Sequence, residues 1–131
     1  MSLDKIKIIK LKILKNSKGD ILKYLNKDLN FFQKFGETYF TEIKYNKKKG
    51  WNFHKKSQCL ISVPFGKVKF TFAEKINEKK KTITIGRKKY FLIVLPPRIW
   101  FNFTSLEKNS LVVNTINYKH NDKETLKVPF V

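Results

Sequence analysis

The sequence predicts an all-β domain, and three observations carry that expectation. Short segments alternate apolar and polar residues with a period of two. Glycine and proline separate them, at Gly19, Gly36, Gly50, Pro64, Gly66, Gly86 and Pro96-Pro97. Helical periodicity is nearly absent. Many short strands, each ended by turn chemistry, point to a sandwich or barrel rather than a βαβ fold. Among closed all-β forms, a jelly roll of about eight or more short antiparallel strands suits one domain spanning residues 1–131.

The elements follow in order. "DKIKIIKLKIL" alternates, with a phase slip at Ile8-Ile9 that reads as a bulge or strand end. "NKDLNFFQKF" spaces Leu29, Phe32 and Phe35 as a short helix would. "TYFTEIKY" puts Tyr39, Thr41, Ile43 and Tyr45 on one strand face. "KVKFTF" groups Val68, Phe70 and Phe72, and "KTITI" groups Ile83 and Ile85. "YFLIVL" is a run without polar residues and reads as a strand buried on both faces; "SLVVNTINY" is β-branched and alternating up to Tyr118.

Composition narrows the class. The 131 residues are 41% hydrophobic and 15% aromatic, which excludes a disordered chain. Cys59 is the only cysteine, so neither an intrachain disulfide nor a cysteine-based zinc cage can form. The longest apolar run, Tyr90 to Leu95, is six residues, against about 20 for a membrane span. The opening "MSLDKIKIIKLKILK" has no continuous apolar core and no small-residue cleavage site. The expectation is a soluble cytoplasmic protein with no membrane partner.

A net charge of +19 attracts polyanions. Yet 27 of the 29 basic residues are lysine, leaving only Arg87 and Arg98. Specific readers of bases and phosphates favour the bidentate arginine fork. The lysines also spread from Lys5 to Lys127 rather than forming one arm. These features argue against nucleic acid and leave a small anionic ligand, which gains from the same field.

The stretch "KKKGWNFHKK" embeds two aromatics, an amide and an imidazole among lysines. Read as extended chain, Trp51 and Phe53 share one face while Asn52 and His54 share the other. Within a barrel the polar pair then looks into the cavity, where it needs a ligand, water or another polar group. The bland alternative is a satisfied polar pair or a surface position. Other constellations are weaker. No phosphate-binding loop, dinucleotide fingerprint or G-x-S-x-G occurs. Cys59 reads as a buried inert thiol more than as a nucleophile. Trp100, Phe101 and Phe103 could stack a base or sugar ring, or simply pack the core. His120 and Asp122 read as a surface turn.

"GETYFTEIKYNKKKGWNFHKKSQCLISVPFGKVKFTF", "YFLIVLPPRIWFNF" and "LVVNTINYKHNDKE" together resemble the dTDP-4-dehydrorhamnose 3,5-epimerase family. The resemblance runs from about Gly19 to Glu124. It implies a cupin-type jelly roll (a double-stranded β-barrel), a homodimer and a nucleotide-linked sugar as ligand, with no cofactor. It implies chemistry in which a base removes the proton α to a keto group and a tyrosine returns one from the opposite face.

Carried over by position, the resemblance places Tyr118 at the general acid. Lys49 stands at the family's arginine position, Asn52 at the base histidine, Cys59 near a substrate lysine and Phe101 at a second active-site histidine. His54, two residues beyond Asn52 on the same strand face, is the candidate relocated base. The family's partner aspartate has no counterpart before the sequence ends. The wider cupin metal pattern maps to Asn52, His54, Cys59 and Phe101, too few donors for a divalent ion, so no metal is expected. The leading expectation is thus an epimerase-like protein that binds a dTDP-4-keto-hexose type ligand in the barrel, with Asn52 at the base position leaving open whether it turns the ligand over. A non-catalytic nucleotide-sugar-binding cupin and a basic nucleic-acid module remain as alternatives. Tyr118 and His54 are the expected catalytic pair, with Lys49, Asn52, Cys59 and Phe101 as substrate contacts. A homodimer would also cover Trp51 and Phe53 on the face away from the cavity.

Overall fold

Alternation of this kind must bury one face of each strand, and the molecule does so by facing two sheets. The computed structural model describes residues 2–32 and 34–129. A 3-10 turn over Ser2–Lys5 leads into β1 (Lys7–Lys10), β2 (Ile13–Leu14), β3 (Ile21–Leu22), β4 (Glu37–Lys44), β5 (Lys48–His54) and β6 (Cys59–Phe65). Then follow β7 (Lys67–Ala73), β8 (Lys80–Gly86), β9 (Phe91–Leu95), β10 (Trp100–Ser105), β11 (Asn109–Ile116) and β12 (Thr125–Lys127). One five-stranded sheet runs β1-β9-β6-β11-β4, the other β12-β5-β10-β7-β8, and β2-β3 forms a separate hairpin. All the strand pairs are antiparallel.

The core lies between the sheets. Ile43, Ile61, Val63, Ile93, Leu95, Val112 and Ile116 face Val68, Phe70, Phe72, Ile85, Phe101 and Phe103. The strand "YFLIVL" is buried on both faces as its composition predicts. Its outward Leu92 and Val94, with Leu60, are covered by the chain's own residues, including Leu11, Tyr24, Leu25 and Leu29. Tyr24 fastens this cover by donating its hydroxyl hydrogen to the Leu60 carbonyl at 2.6 Å, with Thr115 Oγ1 at 2.8 Å from the same oxygen.

Three expectations need correction. The segment around "NKDLNFFQKF" forms successive turns instead of a helix, with Gln33 outside the described residues. Asn26 drives the first turn by accepting the Asp28 amide at 2.8 Å, and a segment this short cannot offset the cost of helix nucleation. The Ile8-Ile9 step contains no bulge, because β1 pairs regularly with β9 from Lys7 to Lys10 and ends there. Trp51 and Phe53 do not need a second copy to cover them: both are buried within this chain. Phe53 packs against Trp100, with ring centroids 4.8 Å apart, and under the Arg98 guanidinium.

The β5 strand bends at Gly50. Asn52 pairs with Phe101 and Gly50 with Asn102, so Trp51 is one extra residue on the β5 side of the ladder. Gly50 has φ 115°, and a Cβ there would meet Phe101 O at 2.7 Å and Asn102 Cα at 2.9 Å. Glycine is therefore required on both conformational and steric grounds. Gly50→Ala is expected to destabilise the fold by about 2 kcal/mol or more. Urea unfolding monitored by Trp fluorescence checks this, and a loss below about 0.5 kcal/mol would contradict the steric reading.

Candidate active site

Between the two sheets, where Asn52, His54 and Asn114 stand among the apolar inward residues, a cavity opens. Its volume is about 750 Å3, within the usual size of small-molecule sites. Ile61, Phe70, Phe103 and Val112 give it apolar walls, and Tyr39, Asn52, His54 and Asn114 add polar groups. It lies along the edge where β4 of one sheet approaches β5 and β12 of the other, so Thr125, Lys127, Val128 and Pro129 complete its lining.

Asn52 and His54 both line this cavity, as strand alternation requires, and Phe53 does not. Trp51 lines it too, contrary to the expected sharing of a face with Phe53; the bulge is the reason. Phe101 lines the cavity beside His54, the two rings stacked at 6.2 Å with an interplanar angle of 18°. Lys49 reaches the mouth from β5, where Lys127 of β12 joins it. Cys59 is buried in the core and is not among the lining residues. Burial pushes its thiol up to about 12, so at neutral pH it is an uncharged packing group. Tyr118 is half-buried and also lies outside the lining; Lys34 and Lys56 place ammonium groups 3.8 and 4.5 Å from its ring centroid. Among the described residues no three His, Cys, Asp or Glu side chains converge as metal ligands. No described helix is long and apolar enough to cross a membrane.

Two groups that the sequence did not single out complete the arrangement. Glu124, just ahead of β12, sits 3.0 Å from His54 Nδ1 through Oε2, and both side chains are about 95% buried. Thr125 donates its hydroxyl to the same oxygen at 2.8 Å. Glu124 Oε1 accepts the Ser57 amide at 2.8 Å and the Lys56 amide at 3.3 Å. Burial alone pushes this carboxyl up, but hydrogen bonds from His54, Ser57 and Thr125 outweigh it and hold the group at about 2. With Nδ1 on the carboxylate, the other imidazole nitrogen is left for the cavity that His54 lines.

Tyr39 is the second group. It reaches the cavity from β4, in the sheet opposite β5, and its oxygen accepts the Asn114 amide at 3.1 Å. Burial raises its phenol above the ordinary value. The Glu37 and Glu124 carboxylates push the same way, and the Asn114 hydrogen bond opposes burial only in part. Tyr39 therefore stays protonated and has a hydrogen to donate.

A family model described as FdtA: WxcM-like, C-terminal matches residues 4–126. The chain belongs to this family. Among solved structures, a dTDP sugar isomerase from Desulfovibrio desulfuricans G20 aligns with a TM-score of 0.88 and 26% identity, over 95% of this chain and 83% of that one. The epimerase RmlC from Legionella pneumophila Philadelphia 1, in complex with dTDP-4-keto-L-rhamnose, gives a TM-score of 0.83 at 13% identity, covering 98% and 74%. The 3,4-ketoisomerase QdtA from Thermoanaerobacterium thermosaccharolyticum gives 0.75 at 18%, covering 92% and 86%. The last two show the shared fold. No curated protein sequence matches the chain. The chain is a divergent member of the cupin group of dTDP-sugar epimerases and isomerases, with the expected all-β fold.

The buried carboxylate has a consequence for stability. Its folded value, about 2, lies below the ordinary 4.5, so the ionised form favours the folded state. That contribution, on the order of 3 kcal/mol, is complete above about pH 4.5 and is lost as pH falls towards 2. Denaturant midpoints should drop across this window in the wild type, and the Glu124→Gln variant should lack that part of the drop. Superimposable pH curves for the two proteins would contradict it.

Proposed function

We propose that this chain binds a dTDP-linked 4-keto sugar in the cavity and moves the proton on the carbon next to the ketone, as a sugar-nucleotide epimerase or isomerase. The observation that carries this reading is His54: a buried imidazole on an inward strand position that lines the cavity and is anchored to Glu124 through Nδ1, which leaves Nε2 free of that anchor. It fits the base that such chemistry needs. Tyr39, protonated and on the facing sheet, is suited to donate a hydrogen bond or proton to the enolate oxygen or carbon. Lys49 and Lys127 suit the diphosphate at the mouth, and Phe101 and Trp51 offer flat surfaces to the sugar or base. Asn52 can hydrogen-bond a hydroxyl but has no basicity near neutral pH.

The test is solvent exchange. With dTDP-4-keto-6-deoxyglucose in D2O, proton NMR should show deuterium entering the sugar beside its ketone. His54→Asn should slow that entry by about 10²-fold or more. Tyr39→Phe should slow it substantially while Tyr118→Phe, outside the lining, stays within about threefold of wild type. No exchange at high protein concentration rules out catalysis on that sugar.

A second reading, a binding protein without turnover, is favoured by one specific observation: Asn52 stands at the position where the resemblance puts the base. It predicts thermal stabilisation by dTDP-sugars, lost in Lys49→Ala, with no exchange.

A further inference from the structure

We propose that Glu124 is the positioning residue for His54, fixing its neutral ring as the Nδ1–H tautomer so that the Nε2 lone pair serves the cavity. The proposal deepens the reading of His54 as base and rests on it. An ionised carboxylate only accepts, so the nitrogen 3.0 Å from Oε2 must be the one that carries hydrogen. The carboxylate itself has little freedom to turn away. The Ser57 and Lys56 amides hold Oε1 and the Thr125 hydroxyl holds Oε2. The same Thr125 hydroxyl lies 3.4 Å from Nδ1, which closes the ring's other approach on that side.

The chain path ties this to the cavity wall. Glu124 arrives directly before β12, which pairs Thr125 with His54, Leu126 with Phe53 and Lys127 with Asn52. Beyond it, Trp51 and Val128 exchange amide–carbonyl bonds of 2.8 and 3.0 Å. Thr125, Lys127, Val128 and Pro129 on this segment line the cavity. One docked strand therefore supplies both the wall and the group that aims the base. An edge strand of three residues is held by few backbone bonds, so its side-chain anchor matters.

Glutamine at position 124 keeps the shape but can turn an N–H towards Nδ1, which would move the ring hydrogen to Nε2 and blunt the base. The experiment pairs two measurements on the full chain. The first is the ¹⁵N spectrum of His54, assigned by loss of its signals in His54→Asn. The Nδ1–H pattern is expected in wild type, and the Nε2–H pattern in Glu124→Gln. The second is deuterium exchange into dTDP-4-keto-6-deoxyglucose. Its kcat should fall by about 10²-fold or more in Glu124→Gln with KM within about threefold, and Glu124→Asp should recover part of it.

An Nε2–H pattern in the wild type overturns the proposal, as does an unchanged kcat in Glu124→Gln. If Glu124→Gln does not fold, the wild-type spectrum and Glu124→Asp decide. An Nδ1–H ring with no turnover by the wild type supports the positioning and removes the enzyme reading instead, so the two failures are distinguishable.

Discussion

Burying the Glu124 carboxylate is the step on which the site depends. An ionised carboxylate taken out of water costs several kcal/mol unless its oxygens are met by donors. Here two main-chain amides, a hydroxyl and an imidazole meet it. The donors come from β5, from the loop that follows it and from the residue next to Glu124 itself. The charge is thus satisfied only when the segment around β12 lies against β5. A polar requirement, rather than apolar burial, dictates where this exposed short strand sits, and the cavity inherits its wall from that placement.

The strand pattern was legible because sheet faces obey a period of two. Tyr39, Thr41 and Ile43 do share the inward face of β4, and Val68, Phe70 and Phe72 that of β7, but Tyr45, expected with the first three, lies past the end of β4 and is exposed. The inward placement of Asn52 and His54 follows from the same rule. The rule fails at Trp51, since a bulge inserts a residue that alternation cannot foresee, although Gly50 ahead of it is the residue such kinks use. Nor could alternation tell that Phe53 finds its cover in Trp100 and Arg98, nearly fifty residues away.

Glu124 was illegible for a different reason. It sits 70 residues from His54, after a turn, and no local pattern links the two. Two signals could have raised it: only 10 acidic residues accompany 29 basic ones, and this one precedes an alternating segment. Asn114, also not singled out from the sequence, had a plainer signal: it is an amide at an inward position between Val112 and Ile116. The family pattern is followed in part: Lys49, Asn52 and Phe101 line the cavity, whereas Cys59 and Tyr118 do not. The pattern puts Tyr118 at the acid, yet its ring lies outside the lining under two ammonium groups.

The charge distribution fits a cavity of this kind better than an extended polyanion groove. Lysines occupy exposed positions from Lys5 to Lys127, while the interior around His54 contains a carboxylate, amides, hydroxyls and aromatic rings. Lys49 and Lys127 line the cavity from exposed positions, where water keeps both ammonium groups solvated and where the proposed anionic ligand would first meet them. Deeper in, the low-dielectric walls would make any unpaired ammonium costly, and the buried base among the described lining residues is the His54 imidazole, which needs no charge to accept a proton. Under the proposed function, attraction at the rim and proton transfer inside would thus fall to different residue types on grounds of solvation. Replacing Asn52 with a second histidine would add basicity beside His54 without adding a second carboxylate to orient it.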